Sequence, residues 1–341
     1  GTACIHLPET HALVKALRLV SELAFDPAED PVLLVSETNV PHEENIAYFG
    51  DGDEAHVVYQ FALAPLTLYA FISGDPAPLR RWLAALSPPP KGCAFLNFLA
   101  SHDGIGVRPA EGWLSSAELE ALVVHTHRQW GFVSMRALEG GGEAPYELNI
   151  TLVDALGAGP EGAADGLGPQ RLAAAHALML ALQGIPAVYI HSLLATENDY
   201  ERMENTGRLR SINRSQWQLD TLKETLADPL SHHSKAFSEL KRLIAIRRRQ
   251  PAFHPNATQF TLHLGLQIFG FWRQSADRRQ SIFCISNVSA LEQTLNLADI
   301  NLIDTDAWQD LLSGRPFQSR VEQMVLAPYQ TVWITNLPDH R

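Results

Sequence analysis

Cysteine is scarce: Cys4, Cys93 and Cys284 are the only three in 341 residues, far apart and without a CxxC pair. A disulfide framework and a cysteine-built zinc site are therefore not expected, and a reducing cytoplasm fits best. Basic charge is scarce as well. Twenty-six Lys and Arg against 38 Asp and Glu leave a formal charge of −12, which repels phosphate backbones and anionic bilayers, so neither nucleic acid nor a membrane is an expected partner. No apolar run reaches the ~20 residues of a membrane span, and the opening GTACIHLPETH has neither the basic nor the apolar region of a signal peptide. It also lacks an initiating Met. Among 14 histidines there is no HxxxH or HExxH spacing, and the adjacent His232 and His233 point apart on a helix or a strand. No GxGxxG opens a helix and no P-loop lysine motif occurs, so no metal and no cofactor is expected.

What is present is a core-rich chain, 46% hydrophobic and 19% charged, enough for one large domain and a smaller one. Residues 10–23 carry Leu13, Leu17, Val20 and Leu23 at helical spacing. PVLLVSE at 31–37 then reads as a short strand covered on both faces, followed by a polar loop. The same grammar repeats: strand at 55–63, helix through Pro65 to about residue 72, helix at 79–86, strand at 94–100, helix at 171–182, and AVYIHS as the next strand. Such alternation implies a parallel sheet, and in a parallel sheet, above all a (β/α)8 barrel, functional groups gather where strands end. Glu37, the pair His102 and Asp103, and the segment after His191 all fall at such ends. The plainer alternative is that a strand-end acid only caps a helix or pairs with a neighbour.

Residues 105–170 exceed an ordinary connection and read as an insertion over the rim, with a helix at 116–128, a flexible GGGE run at 140–143 and a mobile stretch at 155–168. A helix at 235–249 ends in Arg247, Arg248 and Arg249, which suits the helix dipole better than DNA at this overall charge. After Pro251 short strands follow, QFTLHL, LQIFGFWR, SIFCISNV and VLAPYQTVWIT, reading as a small antiparallel β domain.

SETNVPHEENIAYFGDGDEAHVVYQFAL, NFLASHDGIGVRPAEG, APYELNITLVDAL, GIPAVYIHS and SINR resemble the sucrose phosphorylase branch of the α-amylase superfamily of glycoside hydrolases. Within that branch the wording resembles the glucosylglycerate phosphorylases, from Gly1 to about Arg214. The resemblance implies that Glu37 is the general acid/base, that His102 and Asp103 bind the donor glucose and stabilise the transition state, and that Arg210 contacts the same glucose. It places Tyr146 and Glu147 on a loop that shapes the acceptor side. The implied partners are an α-glucoside donor and inorganic phosphate, giving α-glucose 1-phosphate, with glucosylglycerate the favoured donor. Sucrose or sucrose phosphate as donor, a hydrolase, and an inactive fragment are the rival readings.

One departure shapes the fold expectation. In relatives the nucleophilic Asp ends the fourth barrel strand, upstream of GTACIHLPETH, so it is expected to fall before residue 1. The expected fold is α/β: the C-terminal part of a (β/α)8 TIM barrel, strands 5–8 only, at 1–104 and 171–250, then a β domain at 251–341. Its open edges would pair with the missing N-terminal half or drive self-association. Asp51 and Asp53 in the GDGDE turn, and Asp154 as a cap after a strand-like NITLV, are poor replacement nucleophiles. Glu37 is expected in a partly desolvated setting, since an acid catalyst gains from a raised pKa.

Overall fold

The computed structural model describes residues 5–25, 29–30, 32–138, 140–160, 162–300, 308–316 and 323–337. In chain order the first strands are β1 (Val35–Ser36), β2 (Val57–Tyr59), β3 (Ala94–Asn97), β4 (Ile105–Gly106), β5 (Phe132–Ala137), β6 (Glu143–Asn149) and β7 (Ile185–Pro186). β1, β2, β3 and β7 lie side by side in that order, all parallel, with Val58 opposite Phe95 and Leu96 opposite Ile185. Parallel neighbours require crossovers, and these are helical. Leu63–Ser73 and Ala77–Ala85 separate β2 from β3, and Gly168–Ala181 precedes β7. All four strands therefore present their carboxyl ends at one edge.

The crossover helices explain why the sheet holds. Leu63–Ser73 is apolar all round, and every residue from Leu63 to Ile72 is buried. Pro65 sits in its first turn, where a missing N–H costs nothing, and Gly74 at φ +73° closes it by donating to the Ala70 carbonyl. Gly168–Ala181 buries Ala174, Ala175, Leu178 and Ala181. Gly184, at φ +123°, precedes β7; a Cβ there would come 2.7 Å from the Phe95 carbonyl oxygen, so only glycine fits between the strands.

Several sequence expectations shift. β1 is two residues long, and Leu33 and Val35 are 57% and 50% exposed, because an edge strand has one neighbour to cover it. In place of AVYIHS the strand is Ile185–Pro186, and Ile190–Leu193 is a helical turn. NITLV is not a strand either: β6 ends at Asn149 and Thr151 caps the turn Leu152–Ala155. The GGGE run makes the turn of the β5–β6 hairpin, where the Leu138 amide donates to the Gly142 carbonyl. In the stretch at 155–168, Asp165 takes a two-pronged contact from the fully buried Arg171 at 2.7 and 2.8 Å.

The helix expected at 10–23 is present as Pro8–Ala24, yet it buries no residue. Its inward side is mixed: Val14 packs against the cluster around Tyr48 and Phe49, His11 meets Glu54 at 2.6 Å, Lys15 meets Asp53 at 3.0 Å, and Arg18 donates to the Glu54 carbonyl at 3.1 Å. Leu13, Leu17, Val20 and Leu23 face outward.

The later strands are β8 (Thr258–Leu262), β9 (Ile268–Gln274), β10 (Ser281–Asn287), β11 (Gln293–Asn296), β12 (Gln309–Asp310), β13 (Gln323–Leu326) and β14 (Thr331–Thr335). Five form an antiparallel sheet in the order β12-β14-β10-β9-β8, and β11 pairs with β13. Phe269, Phe271, Cys284 and Trp333 share one core with the crossover helices. Two arginines fasten the junction: fully buried Arg273 donates to Ala181 O at 2.6 Å, and Arg247 donates to Leu180 O at 2.7 Å. Both satisfy carbonyls at the end of helix Gly168–Ala181, which gives Arg247 a structural role. Among the described residues no helix is long and apolar enough to cross a membrane.

Candidate active site

The rim at the carboxyl edge starts with β1. Ser36 pairs with Val58, so the next residue, Glu37, comes level with Tyr59. The Tyr59 phenol is pushed above its ordinary pKa by burial, with the Glu37 charge adding to the effect. Thr38 donates to Asn45 Oδ1 at 2.9 Å and Asn45 donates to the Tyr59 carbonyl at 2.7 Å, fixing this loop to the end of β2. Asn39 then lies against β4: a Cβ on Gly106 would be 2.7 Å from Asn39 Nδ2. The loop bearing Glu37 thus touches the strand that begins two residues after Asp103. Glu37 itself is exposed and has no hydrogen bond or ion pair with another described residue, so the expected desolvation is not met.

Asp103 is held far more closely. Arg210 Nη1 and Arg214 Nη2 both reach its Oδ1, at 3.0 and 2.9 Å. Arg214 Nε also donates to the His102 carbonyl at 2.8 Å, and Asn213 Nδ2 to the Asp103 carbonyl at 3.2 Å. The His102 ring is mostly exposed and lies 3.7 Å from Asp103 Oδ1. From β6, buried Glu147 accepts two hydrogen bonds from Arg210, at 2.6 and 3.0 Å, and its other oxygen accepts the Gly104 amide. Glu147 raises the Arg210 pKa, and Asp103 and Tyr146 act in the same direction. Tyr189, after β7, donates to the Asn213 carbonyl at 2.6 Å, and burial pushes its phenol up. A small cavity of about 10 Å³ lies between Asp103, Tyr189, His191 and Asn213.

Between the two arms stands an aromatic group. Tyr59, Phe61 and Phe98 have ring centroids 5.7, 5.3 and 5.2 Å apart. Such faces suit the apolar side of a sugar ring. A larger groove of about 610 Å³ lies elsewhere, against Leu172, Ala173, Ala236 and Leu240, and none of the six rim residues lines it. Asp51 and Asp53 stand before β2, at the opposite edge of the sheet, and Asp154 Oδ2 accepts the Asn198 amide at 2.7 Å. None of the three joins the rim. Among the described residues no group of three or more His, Cys, Asp or Glu is placed to hold a metal ion.

No protein-family model matches the chain. It is 42% identical over 335 residues to the glucosylglycerate phosphorylase of Allomeiothermus silvanus, covering 98% of this chain and 56% of that protein. The chain is a homologue of the glucosylglycerate phosphorylases. It spans a little over half the length of this curated relative. The crystal structure of sucrose 6F-phosphate phosphorylase from Thermoanaerobacter thermosaccharolyticum matches with a TM-score of 0.67 at 22% identity, covering 84% of this chain and 53% of that one. An α-amylase from H. orenii matches at 0.59 and 13% identity, over 98% and 59% of the two chains. Those two likenesses establish the fold alone, an α/β architecture with an antiparallel β portion at its C-terminal end.

Of the six residues singled out from the motifs, Asp103, His102, Arg210 and Glu147 form one cluster, Tyr146 precedes Glu147 on β6, and Glu37 stands on the same rim without touching them directly. Sequence reasoning missed Arg214, Asn213, Tyr189 and the aromatic group. Arg214 and Asn213 lay inside the quoted SINR and Tyr189 inside AVYIHS, so the motifs held the signal without the roles.

Proposed function

We propose that the chain supplies part of the catalytic centre of a retaining disaccharide phosphorylase, converting an α-glucoside and inorganic phosphate to α-glucose 1-phosphate and the freed acceptor, with glucosylglycerate the favoured donor. Glu37 protonates the departing oxygen and then takes the proton from the incoming phosphate. Asp103, His102 and Arg210 hold the glucose and favour positive charge at its anomeric carbon. Tyr146 faces the acceptor. The attacking carboxylate of a retaining mechanism is assigned to none of the 341 residues. The four parallel strands are read as barrel strands 5–8, with 105–170 over the rim and 251–341 as the β domain. One observation carries this reading: the loops bearing Glu37 and Asp103 leave the same sheet edge and meet where Asn39 packs on Gly106. The unpaired, buried Cys93 and Cys284 favour a reducing cytoplasm. β1 and β7 are the sheet edges, where a complementary segment or a second copy would pair; size-exclusion of the chain alone tests for the second copy.

The deciding assay supplies glucosylglycerate, sucrose or sucrose phosphate with and without phosphate. It is run on the chain alone and on the chain mixed with the complementary segment of the Allomeiothermus silvanus protein. Phosphate-dependent α-glucose 1-phosphate supports the proposal, and its donor preference ranks the three sugars. Phosphate-independent glucose release favours a hydrolase. Sugar affinity without turnover in both settings favours the inactive reading, and neither affinity nor turnover overturns all three.

A further inference from the structure

Resting on that reading, we propose that Glu147 is a positioning residue that locks the Asp103 loop and Arg210 into one arrangement, rather than a group that touches the acceptor. Three observations carry this. The Glu147 side chain is 3% exposed and both oxygens are taken, one by the Gly104 amide and the other by Arg210. Gly104 directly follows Asp103, and it is pressed so closely onto β6 that a Cβ would lie 2.3 Å from the Leu148 carbonyl oxygen. Arg210 then spans from Glu147 to Asp103 Oδ1, so one buried carboxylate fixes the catalytic loop through its backbone and through its charge partner.

The strand is shaped for this. Ser134 pairs with Glu147, but the next residue, Met135, pairs with Pro145, leaving Tyr146 as the extra residue of a β-bulge. A bulge breaks the alternation of side chains along β6, just where Glu147 turns to Arg210 and the Gly104 amide. Electrostatics agrees: phosphate and glycerate are anions, and a carboxylate facing either would repel it.

The test uses amide and side-chain exchange by NMR on the full chain, with Glu147→Ala and the conservative Glu147→Gln. Gly104 N–H and Arg210 Nε–H should exchange slowly in the wild type. Loss of a charge-assisted hydrogen bond should speed both by about ten- to a hundred-fold in Glu147→Ala. Glu147→Gln should restore most of the Gly104 protection but not that of Arg210. If Glu147→Ala does not fold, the Gln variant alone carries the test through that split. Unchanged exchange in Glu147→Ala, or equal loss at both sites in Glu147→Gln, overturns the proposal. So does a Glu147 carboxyl resonance that shifts and saturates with glycerate or phosphate while Gly104 and Arg210 stay still. If the phosphorylase reading is what fails, His102 and Asp103 will not respond to donor sugar, and the Gly104 result will stand unaltered.

Discussion

Glu37 and Asp103 leave strands separated only by β2, yet the ground beneath them differs. Glu37 follows an edge strand, and helix Pro8–Ala24 meets residues 48–54 nearby in the chain through His11, Val14, Lys15 and Arg18 and turns its leucines outward. Asp103 follows an interior strand, backed by helices Leu63–Ser73 and Gly168–Ala181, and two arginines and an asparagine hold its carboxylate and carbonyl. The difference matches the chemistry proposed for each. A group that supplies fixed negative charge benefits from a rigid, preorganised lattice, whereas one that must gain and lose a proton is hindered by a permanent ion partner.

The largest effect expected from this contrast is at Glu37. On the proposed phosphorylase reading, in a mixture of the chain with the complementary segment of the Allomeiothermus silvanus protein, Glu37→Gln should lower turnover of a natural donor by about 10²- to 10⁴-fold. A donor whose leaving group needs no proton should regain most of that rate. Comparable loss with both donors would mean that Glu37 is not the acid, and the two arms would no longer divide the chemistry.

Next in size is the interior flank's response to acid. His176 is fully buried in helix Gly168–Ala181, and burial lowers its pKa from 6.5 to about 4. The unfolded chain therefore takes up the proton first. Stability should fall as pH drops from 6.5 towards 4, by on the order of 3 kcal/mol at the lower end. Urea unfolding across this range, compared with His176→Leu, should show the slope shrinking in the variant. An unchanged slope would show that other groups set the acid response.

Gly104→Ala probes the Asp103 arm's tight seat against β6. Overpacking at this position should cost about 1–3 kcal/mol, visible as a lowered Tm. A neutral result would mean that the loop can lift from Leu148, and the claim of a fixed loop would fail.

How much of this could be read beforehand depended on how local the cause was. Helix Ser116–Arg128 matched residue for residue because Ser115 and Glu118 form a capping box within four residues. The placement of Glu37, His102 and Asp103 past the carboxyl ends of parallel strands was legible because strand ends and motifs coincide. What escaped was set by contacts distant in sequence. Arg214 lies 111 residues from Asp103, and no spacing rule connects them. The burial of Glu147 depends on a bulge, which shifts pairing without leaving a composition signal. For residues 10–23 the apolar period gave the helix correctly, but periodicity identifies a stripe and not what covers it.

That stripe gives the smallest effect and the cleanest contrast with the interior. Leu17 is 54% exposed on a helix with no buried residue, so Leu17→Ser should change unfolding free energy by no more than about 0.5 kcal/mol. The same leucine-to-serine change at fully buried Leu66 should cost several-fold more, since a methyl-lined cavity and an unpaired hydroxyl would both appear. Matched urea titrations of the two variants compare the flanks directly. If Leu17→Ser proved as destabilising as Leu66→Ser, the outward stripe would be covered in solution, and the Glu37 arm would be as firmly backed as the Asp103 arm.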